Sequence, residues 1–217
     1  MPIFLLIRHG ESEFNKKLHI AGRLPGIHLT KKGQQQAQSL VDTLSKAPIT
    51  AIYSSPLERT METAQPLAKA LQLDITPLPE LLETNCGDWQ GQSAKKLRRK
   101  KEWQVVQQHP SLFHFPSGES IAECQYRMVQ AIESLRLRHS AQDLIVCVSH
   151  ADPIKEVIAY YLGLPLDNFQ RLGIDVGSMS VLHITESGSR LIALNFIPAF
   201  NWEGLQPPKP KKLLRSP

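Results

Sequence analysis

Arg8-His9-Gly10 follows the apolar run Phe4-Leu5-Leu6-Ile7 near the start of the 217-residue chain. An arginine presents a planar fork of donors that matches phosphate, and a neutral imidazole is a competent nucleophile. Gly10 lets the backbone turn closely around whatever binds there. Together these residue types point to attack on phosphorus. The plainer alternative is a charged strand end carrying a partly exposed histidine, and short motifs do match by chance. Three further stretches shift the balance. Ser54-Ser55-Pro56-Leu57-Glu58-Arg59-Thr60 supplies a second arginine at the opening of a helix, where anions are favoured. Leu82-Glu83-Thr84-Asn85-Cys86-Gly87-Asp88-Trp89 sets a carboxyl group before an irregular, glycine-bounded turn. Leu144-Ile145-Val146-Cys147-Val148-Ser149-His150 is a second apolar run that ends in a histidine.

These residues need elements to carry them. The two apolar runs read as buried strands, and open α/β sheets gather ligands at the carboxyl ends of strands. Thr30 is the expected N-cap of a helix running to about Lys46, with Ala37, Leu40, Val41 and Leu44 as its buried stripe. A strand over 50–53 leads to a helix over 57–72, interrupted or kinked by Pro66. Residues 73–82 hold Pro77 and Pro79, so only a short edge strand is expected there. A helix over 93–109 carries Lys95-Lys96-Leu97-Arg98-Arg99-Lys100-Lys101, by default a solvated face and alternatively a lid whose field draws in anions. Phe113 to Phe115 would approach the pocket entrance. A helix runs from about Ser120 to Arg138, a strand over 143–148, and a helix from Asp152-Pro153 to about Gly163. Residues 178–185 and 190–197 form a hairpin. Asn15 to Ile27 is aperiodic and reads as a loop.

In this order, from residue 3 to about 197, the four stretches resemble the histidine phosphatase superfamily, the phosphoglycerate-mutase-like proteins. The resemblance implies a three-layer α/β/α sandwich around a mixed, mostly parallel sheet. It implies His9 as the nucleophile that becomes phosphohistidine. Arg8, Arg59 and His150 would hold the phosphoryl oxygens, with the Ala151 amide as a further donor, although the family often has glycine there. Glu83 would act as general acid and then as the base that activates water. Asn15, Gly22 and Arg23 match the family's phosphate-pocket loop, whereas Ala21 and His28 stand where the family often has glutamine and proline. Asn15 could equally satisfy local backbone groups. Pro116-Ser117-Gly118-Glu119-Ser120 resembles the family's glycine-glutamate-serine turn. The chain lacks a mutase-like Glu-Arg-x-Tyr-Gly stretch after the acid, so hydrolysis of a small phosphomonoester is the first reading. Phosphoserine, a sugar phosphate or ribazole phosphate would each fit. Phosphomutase activity is the second reading, and a phospholigand-binding protein without turnover the third.

The scheme calls for no metal and no cofactor, and the histidines lack the His-Glu-x-x-His spacing of a zinc hydrolase. Four of the net +5 charges sit in residues 205–217, leaving +1 for 1–204, so the pI of 9.2 is no sign of nucleic-acid binding. Residues 1–204 are expected to form one domain and 205–217 a flexible basic tail. Without a membrane-length apolar run or a signal-like start, a cytoplasmic protein is expected, with no membrane partner. Cys86, Cys124 and Cys147 read as reduced packing thiols. The expected partner is the small-molecule substrate, with a homodimer admissible as the assembly.

Overall fold

The computed structural model describes residues 2–197. Six strands form one sheet: β1 (Ile3–Arg8), β2 (Ile49–Ser54), β3 (Ile75–Pro77), β4 (Leu144–Ser149), β5 (Met179–Thr185) and β6 (Gly188–Phe196). Their order is β3-β2-β4-β1-β5-β6. The pairs β3·β2, β2·β4 and β4·β1 are parallel; β1·β5 and β5·β6 are antiparallel. Successive side chains of a strand point to opposite faces. Phe4 and Leu6 of β1, with Ile145 and Cys147 of β4, enter one core. Leu5 and Ile7, with Val146 and Val148, enter the other. Burial on both faces explains why β1 and β4 read as unbroken apolar runs rather than alternating ones.

Helices α2 (Lys31–Leu44) and α3 (Glu58–Leu71) cover the second core, while α6 (Ile121–Arg138) and α7 (Ala151–Tyr161) cover the first. The result is the three-layer sandwich. Thr30 caps α2 through the Gly33 amide, and Ser120 and Glu123 form a capping box on α6. Because β1 and β4 are neighbours whose chains leave toward opposite faces, a crevice opens beyond their carboxyl ends. Their register ends at Arg8↔Ser149, which sets His9 beside His150.

Three local expectations need correction. Pro66 does not interrupt α3, which continues through it to Leu71 because Thr63, Ala64, Leu67 and Ala68 bury one face against the sheet. The basic stretch is not one helix. It divides into α4 (Ala94–Leu97) and α5 (Lys101–Gln108), where like charges at Lys95/Arg99 and Lys96/Lys100 would face each other one turn apart. The loop after His9 holds a short helix, α1 (Glu13–Lys17), in which Asn15 occupies a capping-box position. The boundary expected at 204 and the basic tail lie outside the described residues.

Candidate active site

His9, at 3 % exposure, leaves the end of β1 with its amide bonded to the Ser149 carbonyl. Its Nδ1 lies 2.7 Å from the Gly10 carbonyl oxygen. A carbonyl only accepts, so Nδ1 carries the proton and the Nε2 lone pair is left free. Burial, with the positive charges of Arg59 and Arg8, pushes the His9 pKa well below its ordinary value and keeps the ring neutral. Gly10 is required by space, since a Cβ there would sit 2.6 Å from the Gly33 carbonyl oxygen.

Arg59, in the first turn of α3, is fully buried. It pairs with neither neighbouring acid: Glu58 accepts from the Gly26 amide, and Glu62 from His28 and the Leu29 amide. Arg59 Nη2 donates to the Gly22 carbonyl at 2.8 Å and lies 3.2 Å from His150 Nδ1. Its Nε and Nη1 have no partner, nor has Nε of Arg8, whose Nη1 donates to the Ile174 carbonyl. Three buried guanidinium nitrogens are thus unsatisfied, a costly arrangement unless an anion completes it.

His150 follows β4, fully buried, with its ring centroid 5.2 Å from that of His9. Nε2 lies 3.0 Å from the Ser55 hydroxyl, and Nδ1 faces Arg59 and, at 3.8 Å, Oε2 of Glu83. Burial and the nearby Arg59 hold its pKa well below the ordinary histidine value. Glu83 is half-buried at the cleft. Burial, helped by the charge of Asp152 and opposed by Arg59, raises its pKa to about 7.

The segment bearing Glu83 is strapped from behind. Oε1 of Glu119 accepts from Arg23 Nη2 at 2.8 Å, Arg127 Nη2 at 2.9 Å and the Asn85 amide at 2.8 Å. The Glu119 amide returns a bond to the Asn85 carbonyl at 3.0 Å. Arg23 Nε donates to the Glu83 carbonyl, and Arg127 Nη1 to that of Leu82. Arg23, expected among the phosphate ligands, fixes the backbone of the acid through its Nε and Nη2.

A cleft of about 310 Å³ opens onto these groups. Arg8, His9, Asn15, Gly22, Glu83 and Ala151 line it, with Arg59 and His150 buried directly behind. Asn15 Oδ1 is also occupied by the Ser12 amide and hydroxyl, so it serves the local turn as well. His28 stands on the surface, bound to Glu62. Among the described residues no group of three His, Cys, Asp or Glu side chains is placed to hold a metal ion. The three cysteines are free and buried, and no described helix is long and apolar enough to cross a membrane.

This arrangement has known counterparts. Residues 4–197 match the profile of the histidine phosphatase superfamily, branch 1. The chain belongs to that family. Phosphoserine phosphatase 1 of Hydrogenobacter thermophilus is 33 % identical over 90 % of this chain and 92 % of its own length. The 2,3-bisphosphoglycerate-dependent phosphoglycerate mutase of Thermoplasma acidophilum is 30 % identical over 85 % and 88 % of the two chains. The solved structure of Bacillus stearothermophilus YhfR superposes with a TM-score of 0.83 at 26 % identity, covering 88 % of this chain and 96 % of its own.

Within this histidine phosphatase, sequence reasoning missed Glu119, Arg127 and Ser55 as supporting groups. Glu119 stood in a quoted turn, but its pairing with Arg23 and Arg127 leaves no sign in that local pattern. Ser55 did sit inside a quoted motif, but only the strand register shows that it reaches His150.

Proposed function

We propose that the chain hydrolyses small phosphomonoesters through a phosphohistidine on His9. The observation that carries this reading is the meeting of an imidazole with a free Nε2, unsatisfied guanidinium donors on two arginines, and a carboxyl group poised near neutrality. In the first step His9 Nε2 attacks phosphorus and the ester P–O bond breaks. The electron pair leaves with the alcohol oxygen, which takes the proton of Glu83. Arg8 and Arg59 donate to the non-bridging oxygens. A guanidinium only donates, so Nδ1 of His150 accepts from Arg59 and its Nε2–H donates to the Ser55 hydroxyl; the negative charge of a bound phosphoryl group favours protonation of Nδ1, which then makes His150 a third donor. In the second step ionised Glu83 takes a proton from water as that water attacks phosphorus. The P–N bond breaks, inorganic phosphate leaves, and the starting protonation states return. Charge on the phosphoryl group is met by arginine and histidine, the metal-independent solution of this family.

Three free, buried thiols support a reducing, cytoplasmic setting for this activity. Rapid quench of the enzyme with ³²P-labelled substrate should trap acid-labile, base-stable phosphate, absent in His9→Ala. Label retained on that variant would sink the assignment. Conversion of 3-phosphoglycerate to 2-phosphoglycerate faster than release of phosphate would instead establish the mutase reading.

A further inference from the structure

Beyond Glu83 the cleft changes character. Its wall is formed by Ile20, Cys86, Trp89, Trp103, Val106 and Phe115. The wall is rigid. Trp103, on α5, stacks on Trp89 with ring centroids 5.9 Å apart and an interplanar angle of 14°, and the Arg98 guanidinium lies 6.0 Å from its ring. Trp89 is held in turn by Phe115, edge to face, and by a tilted Phe113. The charged groups at the other end are already matched. Lys155 Nζ lies 3.1 Å from Asp152 Oδ1 and 3.1 Å from Gln170 Oε1. Arg8 and Arg59 are taken by the phosphoryl group under the hydrolase reading. A carboxylate or ammonium on the leaving alcohol would therefore share Lys155 or Asp152 with an existing partner rather than meet an unpaired charge.

We propose that the preferred substrates are phosphomonoesters whose alcohol carries a flat, uncharged ring, seated against the Trp89–Trp103–Phe115 wall. This rests on the hydrolase reading and adds the substrate class to it. Such a ring removes apolar surface from water on both sides, and a wall fixed by its own stacking loses little freedom on binding.

The test compares phosphates of similar primary alcohols, so that leaving-group chemistry stays nearly constant: 2-phenylethyl phosphate, ethyl phosphate and O-phosphoserine. The wild-type protein should favour 2-phenylethyl phosphate over each of the others by about 10–200-fold in kcat/KM, the range an added apolar group commands in a fitted pocket. In Trp103→Ala and Ile20→Ala the ratio of 2-phenylethyl to ethyl phosphate should fall about tenfold or more. A ratio read within one protein cancels any loss of folded enzyme. Preference for phosphoserine, or a ratio unmoved in both variants, overturns the inference while leaving the hydrolase reading intact. Absence of turnover on all three and on p-nitrophenyl phosphate overturns the hydrolase reading itself. The wild-type comparison decides the matter even if a variant does not fold.

Discussion

Replacing Glu83 with glutamine should stabilise the protein while disabling it. The carboxyl group is lifted from 4.5 to about 7, chiefly by burial and then by Asp152. Between those values the folded state holds a proton that the unfolded chain has already lost. Stability from this group is therefore greatest below about pH 4.5, declines as pH rises through the window, and is level above about pH 7. Each pKa unit corresponds to about 1.4 kcal/mol, so the decline approaches about 3 kcal/mol. Glutamine stays neutral throughout and keeps an oxygen for the Thr84 amide, which Glu83 Oε1 binds at 3.0 Å. The difference in unfolding free energy, variant minus wild type, should thus rise from near zero at pH 4.5 to as much as about 3 kcal/mol at pH 8. His9 and His150 are common to both proteins, and Glu156, which the Glu83 charge helps to push up, adds to the difference in the same direction. Urea unfolding at a series of pH values, in phosphate-free buffer, measures it. A variant that is no more stable than wild type at pH 8, or whose advantage does not depend on pH, would refute the reasoning about the acid.

In single-turnover phosphoenzyme formation, Glu83→Gln should lose about 10²–10⁴-fold more rate on an alkyl phosphate than on p-nitrophenyl phosphate, whose leaving group needs little protonation. Equal losses would move the acid role elsewhere, with Asp152 or Glu11 next to be tried. Arg59→Ala removes contacts to the phosphoryl group itself and should slow both substrates about equally, by about 10²–10³-fold; a loss confined to one substrate would contradict that placement. Turnover should persist in EDTA, and complete loss that magnesium or zinc restores would count against arginine and histidine as the charge-bearing groups.

Much of this architecture was legible because burial writes itself into strands on both faces. Phe4–Ile7 and Leu144–Val148 could be read as core strands directly, and their ends then placed Arg8, His9 and His150 at one sheet edge. Thr30 announced its helix through side-chain chemistry that acts within one turn. What sequence could not give were outcomes decided by distant partners. Pro66 weakens a helix locally, yet the packing of Leu67 and Ala68 outweighs it. Arg23 was matched to a phosphate loop by position, but its bond to Glu119, which lies in another segment, could not be read locally. Of the aromatic wall, Phe115 was expected near the pocket entrance and lines the cleft, but the stacking of Trp89 on Trp103 was invisible, since nothing in their spacing says that they converge.

The two-way bonding of Asn85 and Glu119 pins the start and finish of residues 86–118 to one point. Everything between leaves the sheet and returns to where it began, carrying the aromatic wall of the cleft, while Glu83 sits outside the clasp. Gly118 guards the join, since a Cβ there would lie 2.2 Å from the Asn85 carbonyl oxygen. Residues 90–94 are also tied to the loop at 18–23, so it is the stretch beyond them, 95–115, that can change length or side chains with little strain passed to the acid. Descendants of this scaffold could thus acquire new alcohol preferences by rewriting one segment, with the phosphoryl-transfer machinery left in place.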